Sequence, residues 1–309
     1  MPLESPSREG DARTGAGACA GVVEQLGDFE HHLSQVEIDR RAWRRARTRR
    51  STGIAVASSL LVGALLVTVI ATSPGWEATR EAFFNGQYFI ESLPAVAEGL
   101  LLNIQVLLVS VVFVALGGVL LATARSLRGP VFFPLRFLAA AYTDVFRGMP
   151  FIVVLYLVGF GVPALNPTTR IPIGLLGGVA LVLTYSSYVG EVLRAGLEAV
   201  HPSQRAAARS LGLTHAQTLQ HVIVPQAVRK VAPALMNDFI SMQKDVGLIS
   251  TLGAVDAIRA AQIHQASTYN FTAYVVAGLL FIALSWPFIR LSDWWTARLQ
   301  QREQTGGMV

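Results

Sequence analysis

The residues that could do chemistry in this 309-residue chain are polar side chains set inside long apolar stretches. Asp144 and Arg147 are three apart, so on a helix they share one face and can pair. Gly148 and Pro150 follow them, which predicts a bend. Gln243, Lys244 and Asp245 form a second polar cluster, and Asn103, Gln105 and Asn237 stand alone among apolar neighbours. In hydrocarbon such groups are costly, which makes them functional candidates by default. We take these eight residues as candidates for lining a translocation path. The Asp144–Arg147 and Lys244–Asp245 neighbours suit structural pairing equally well. Glu191, Arg194 and Glu198 lie at i, i+3 and i+7, a spacing that also describes an interfacial ion-pair ladder.

Other chemistries find little support. The adjacent His31 and His32 have no further ligand cluster, so no metal site is predicted. Cys19 is the single cysteine and excludes an intrachain disulfide. A phosphate-binding loop needs G-K-[ST], but the only lysines, Lys230 and Lys244, follow Arg229 and Gln243. No catalytic residue and no directly bound cofactor are expected.

The elements that must carry the polar groups are membrane helices. The chain is 52% hydrophobic and 15% charged, with a mean hydropathy of +0.46, against roughly 25% charged residues in soluble domains. Six apolar segments approach or exceed the ~20 residues that cross a bilayer. They fall near 52–72, 97–123, 134–161, 173–194, 229–251 and 272–291. The fold class is therefore all-α, a polytopic membrane helix bundle. Residues 1–35 read as a disordered tail. Residues 73–94 read as a connector with an interfacial helix around Phe83–Phe89, and residues 252–271 as a second connector. Trp294 and Trp295 mark the last membrane boundary.

The longest polar interruption of the second half is His201–Ala227. Pro202 suits the first turn of a helix, and Ala206, Ala207 and Ala208 favour that helix. Gly212 stands where a helix stops in the left-handed conformation. Thr214 and Gln217 form a capping box for a second helix, and Pro225 limits its run. A DNA-binding helix-turn-helix also uses two helices and a glycine turn. Here an apolar span on each side leaves no room for an independent soluble domain, so nucleic acid is not expected as a partner.

This hook resembles the signature loop of ABC-importer permease subunits: E-A-A, three residues, Gly, nine residues, then I-x-L-P. Ala206, Ala207, Ala208, Gly212, Val222, Val224 and Pro225 fall on that spacing. Phe146-Arg147-Gly148-Met149-Pro150 is similar to the F-R-G-x-P of polar amino-acid permeases, and Asn237–Leu248 to the segment that follows their loop. The resemblance covers roughly residues 95–295. It departs at the first loop position, usually Glu and here Ala206.

The resemblance implies a permease of the type I importer kind. Residues 1–50 would be a cytoplasmic tail, 51–94 an extra helix with its connector, 95–295 the permease domain and 296–309 a C-terminal tail. The hook would couple to separate ATPase subunits, which carry ATP and Mg. A second permease subunit and an extracytoplasmic substrate-binding protein would complete the importer, and a polar amino acid would be the substrate. The missing glutamate slightly favours a heterodimer. An ion-coupled carrier working without an ATPase is the alternative, but no internal repeat supports it. A non-transporting scaffold is the other, and it would have no need of paired charges within spans.

Arginine and lysine placement orients the chain. With the N-terminus inside, Arg40, Arg41, Arg44, Arg45, Arg47, Arg49 and Arg50 precede the first span on the cytoplasmic side. Arg80, Arg170 and Arg259 alone fall outside. The positive-inside rule then puts both termini and the hook in the cytoplasm of a cell-membrane protein.

Overall fold

The longest helices set the frame. The computed structural model describes residues 35–127 and 129–306, all helix and connecting turns. Expectations for Cys19, for His31 and His32, and for the tail before residue 35 lie outside them. The chain divides into two units, Met1–Trp76 and Glu77–Val309. In the first, α1 runs Gln35–Ala71 as one helix whose stretch Arg50–Ala71 is long and apolar enough to cross a membrane.

The second unit holds the polar candidates. Its helices are α2 (Trp76–Phe83), α3 (Gly86–Ser126), α4 (Phe133–Gly148), α5 (Phe151–Leu165), α6 (Ile173–Glu198), α7 (Pro202–Ser210), α8 (His215–Thr218), α9 (Val224–Asp245), α10 (Ala257–Thr268) and α11 (Thr272–Gly306). Asn85 starts α3 by accepting hydrogen bonds from the Gln87 and Tyr88 amides at 3.0 and 3.3 Å, which pairs two otherwise orphan donors. The 41 residues of α3 rise about 60 Å, twice the hydrocarbon thickness, so the helix extends well beyond the bilayer.

α3 packs along α6 because small residues let them approach. A side chain added at Gly117 would overlap Ser186, and one added at Gly118 would overlap Val189 and the Gly190 backbone. This is the use expected of small residues where lipid supplies no hydrophobic drive between helices. Around the pair, Leu107, Leu155, Leu181, Tyr185, Met242 and Ile249 form one buried cluster. A second, of Val96, Ala257, Ala261, Ala273 and Val276, joins α3 to α10 and α11.

Among the described residues, four helical stretches are long and apolar enough to be spans, and two bent pairs raise the number to as many as six. The expected third span, 134–161, is two helices, α4 and α5, meeting at 105°. Pro150 explains the break, since it cannot donate to a continuing helix and disfavours helical geometry at Met149. The fifth departs from 229–251 too: α9 starts at Val224, passes into a 3₁₀ turn Val246–Leu252, and meets α10 at 49°. Residues 252–271, expected as a connector, contain the helix α10. The helix expected at Phe83–Phe89 is interrupted at Phe84 and Asn85; α2 precedes that break and α3 follows it.

Candidate coupling hook and polar interior

Local chemistry builds the hook. The His201 Nδ1 accepts the Ser203 amide at 3.2 Å and starts α7, with Pro202 in its first turn. α7 ends in a Schellman motif: the Leu213 amide donates to the Ala208 carbonyl at 3.2 Å and the Gly212 amide to the Arg209 carbonyl at 3.0 Å. Gly212 has φ +81°, a conformation that a side chain with Cβ adopts only at a cost. The capping box forms as expected. Thr214 Oγ1 accepts the Gln217 amide at 3.3 Å, and the Thr214 amide donates to Gln217 Oε1 at 3.0 Å.

Pro225 acts differently from the expectation. It lies in the first turn of α9, and α8 reaches it through a π turn, Leu219–Ile223, closed by the Val224 amide on the Leu219 carbonyl. A proline ring clashes with the carbonyl four residues back, and the wider π turn accommodates that clash without ending the helix. The hook is therefore continuous with α9.

The motif residues divide by burial. Ala208 is buried and Val222 half-buried, packed on the buried Ile223, Val200 and Ala227 beneath the hook. Ala206, Ala207, Gly212 and Pro225 are exposed, with Val224 at 38% and Leu211 at 83%. Leu211 lies between the motif positions and was missed by the spacing. Two cations seat the hook on α6: Arg205 Nη2 donates to the Leu197 carbonyl and Lys230 Nζ to the Ala199 carbonyl, each at 2.9 Å. Both satisfy carbonyls that the end of a helix leaves unpaired.

A charge ladder leads into this seat. Arg194 lies 2.7 Å from Glu191 and 2.5 Å from Glu198, and Arg125 of α3 pairs with Glu191 as well. The α6 spacing announced the first two contacts; Arg125 required the fold.

The polar interior separates into residues that tie helices and residues that face outward. Asn103 is buried, and its Nδ2 donates to the Val246 carbonyl at 3.2 Å and to Asp256 Oδ2 at 3.0 Å. Its Oδ1 accepts the Ala257 amide at 3.1 Å. Gln243 is buried too and donates to Ser285 Oγ of α11 at 2.8 Å, while its Oε1 has no partner. Asp245 accepts from the Tyr185 hydroxyl at 2.8 Å. Lys244 and Asn237 are exposed, and Gln105 lines an apolar groove between α3 and α6.

Asp144 and Arg147 depart from the expected pairing. Both are exposed, and among the described residues no ion pair joins them. Arg147 instead sets its guanidinium 5.8 Å from the Tyr188 ring centroid, a cation–π distance. Helical spacing permits the pair but does not oblige it once an aromatic face on α6 competes.

Asp238, next to the candidate Asn237, was missed. One of its carboxylate oxygens is buried without a partner, and it borders a cavity of about 270 Å³ lined by Tyr185, Met242 and apolar residues of α3 and α6. An ionisable residue within an apolar span was the signal that could have found it. Asp256, buried as the N-cap of α10, also went unmarked.

Residues 116–304 match the family described as binding-protein-dependent transport system inner membrane component. The chain is 32% identical over 196 residues to an arginine transport system permease protein of Bacillus subtilis, covering 63% of this chain and 88% of that protein. It is 31% identical over 220 residues to a probable amino-acid ABC transporter permease protein of Vibrio harveyi, covering 71% and 97%. Among solved structures, an amino acid ABC transporter crystallised with histidines superposes with a TM-score of 0.62 at 33% identity, over 68% of this chain and 96% of that one. An inward-facing methionine ABC transporter gives 0.54 at 18% identity and supports the fold alone.

Proposed function

Because the chain belongs to the family of binding-protein-dependent transport system inner membrane components, we propose that it is the permease of an ATP-driven importer for polar amino acids, coupled to a separate ATPase through residues 201–227. Its relatives are named as amino-acid permeases, and permease subunits of this family are membrane-spanning proteins, not enzymes. ATP and Mg are assigned to the partner ATPase, substrate delivery to an extracytoplasmic binding protein, and the hook and both termini to the cytoplasm.

The observation that carries the coupling role is the exposed crest of Ala206, Ala207, Leu211 and Gly212 on a hook seated by Arg205 and Lys230. Small side chains let a partner backbone approach, and one large exposed leucine offers an anchor for a partner pocket. A push on this crest passes to α6 through the two capped carbonyls and to α9 through the unbroken chain. For the substrate we assign the neighbourhood of Arg147, Asp238 and Asp245, where a cation and two carboxylates answer the two charges of an amino acid.

The test is co-reconstitution with the ATPase and binding protein, reading substrate-stimulated ATP hydrolysis and uptake. Uptake that follows an ion gradient in the absence of ATPase would replace this reading with an ion-coupled carrier. The second permease is a further proposal. Ala206 removes the carboxylate from the family's first hook position, and charge-assisted contacts are among the stronger hydrogen bonds. A heterodimer whose other permease carries that Glu restores it. Full coupled ATPase activity from this chain and the ATPase alone would refute the heterodimer.

A further inference from the structure

At the hook-bearing end of the bundle, α9 and α11 enclose a cavity of about 360 Å³ lined by Arg229, Trp294, Trp295, Arg298 and Leu299. The Arg298 guanidinium lies 4.9 Å from the Trp294 ring centroid. Among the described residues, neither Arg229 nor Arg298 pairs with a carboxylate. Two guanidinium groups beside two indoles suit a phosphate that sits at a membrane boundary, since arginine matches phosphate geometry and tryptophan prefers the headgroup level.

A second cavity shares Trp295. It holds about 280 Å³ and is lined by Ala232, Pro233, Leu235, Met236, Phe239 and Ser292, all but one of them apolar. From Arg229 to Phe239 the helix rises about 15 Å at 1.5 Å per residue, half the ~30 Å hydrocarbon thickness. The charged cavity and the apolar groove thus share one tryptophan as a wall, and the groove runs one leaflet deep. Free phosphate would use only the first chamber. An acyl chain accounts for the second.

We propose that this is a binding site for an anionic phospholipid, its phosphate between Arg229 and Arg298 and one acyl chain along the α9–α11 groove. The neighbouring Lys230 holds the end of α6, so the bound headgroup would steady the root of the hook. Basic pockets between membrane helices on the cytoplasmic side are suited to such headgroups.

The test reads tryptophan quenching by lipids with brominated acyl chains, in the full chain reconstituted into phosphatidylcholine vesicles. Trp43→Phe removes the reporter in the arginine-rich start of α1, and Trp76→Phe and Trp286→Phe remove the other two that do not line the cavity. Brominated phosphatidylglycerol should compete for the groove on the order of tenfold better than brominated phosphatidylcholine, from two basic contacts near the surface. The preference should vanish in Arg229→Gln/Arg298→Gln and survive in Arg290→Gln. Equal quenching by the two lipids would overturn the proposal. So would relief of the phosphatidylglycerol signal by millimolar inorganic phosphate, which identifies a soluble anion site. Met236→Cys crosslinks between two copies that form in both lipids would assign the groove to a subunit contact and overturn it as well. No ATPase or transported solute enters the measurement, so its outcome is independent of the transport reading.

Discussion

Asn103 shows how one amide can hold three chain segments. It pairs with the Val246 carbonyl, the Asp256 carboxylate and the Ala257 amide, and Gly99, one turn earlier, leaves no room for a side chain against the Asp256–Ala257 backbone. Asn103→Leu keeps the volume but removes one partner from each of three groups; Asp256 keeps the Arg259 amide, and the Ala257 amide loses its acceptor. At about 1–3 kcal/mol for an unsatisfied buried group, the loss should be of that order, seen as a lowered melting temperature in detergent and faster amide exchange over residues 246–260. Gln105→Leu, on the apolar groove, should leave both unchanged. Arg147 and Asp144 give a second contrast. With Arg147 on Tyr188 and Asp144 in no ion pair among the described residues, Arg147→Ala should reduce uptake several-fold at equal membrane abundance, whereas Asp144→Asn should stay near wild type. A double variant no worse than either single would restore the ion pair.

At the scale of elements, the hook was legible because its signals are local. The Gly212 turn, the Pro202 start and the Thr214–Gln217 box each act within a few residues, and each forms as spaced. Gly212 has open space around it within this chain, so what the hook's own fold requires there is the backbone conformation. Gly212→Val should cost about 1–3 kcal/mol in the hook and abolish co-purification with the ATPase while the protein remains in the membrane. Gly212→Asn, which tolerates the left-handed region, should retain most of it. A valine variant with normal co-purification and ATPase stimulation would remove the hook from coupling. Other features were hidden because their partners are distant in sequence. Asn103 meets groups more than 140 residues away, and Arg125 meets Glu191 across α3 and α6. The proline at 150 announced a bend, but the 105° angle comes from what α4 and α5 pack against. Pro225 looked like a stop because a proline's local effect does not show that a π turn can absorb it.

For the molecule as a whole, the separation at Trp76 makes a testable unit. Residues 77–309 contain the hook, the ladder and the polar interior, and the family match lies wholly within them. A chain starting at Glu77 behind a neutral cleavable signal should insert, keep its melting temperature within about 2 °C of the full chain, in keeping with a ΔΔG of no more than about 1 kcal/mol, and bind the ATPase. A fall of 10 °C would mean that α1 supports the bundle. The break between α4 and α5 also bears on biosynthesis. These helices have 16 and 15 residues, so each reaches only about 23 Å at 1.5 Å per residue, short of the ~30 Å hydrocarbon layer. Neither half should settle in lipid alone as it leaves the ribosome. The pair should linger beside the translocon until α6 arrives to cover it. Nascent chains stalled with Leu165 just clear of the exit tunnel should crosslink to the translocon, and chains extended past Glu198 should be released to the bilayer.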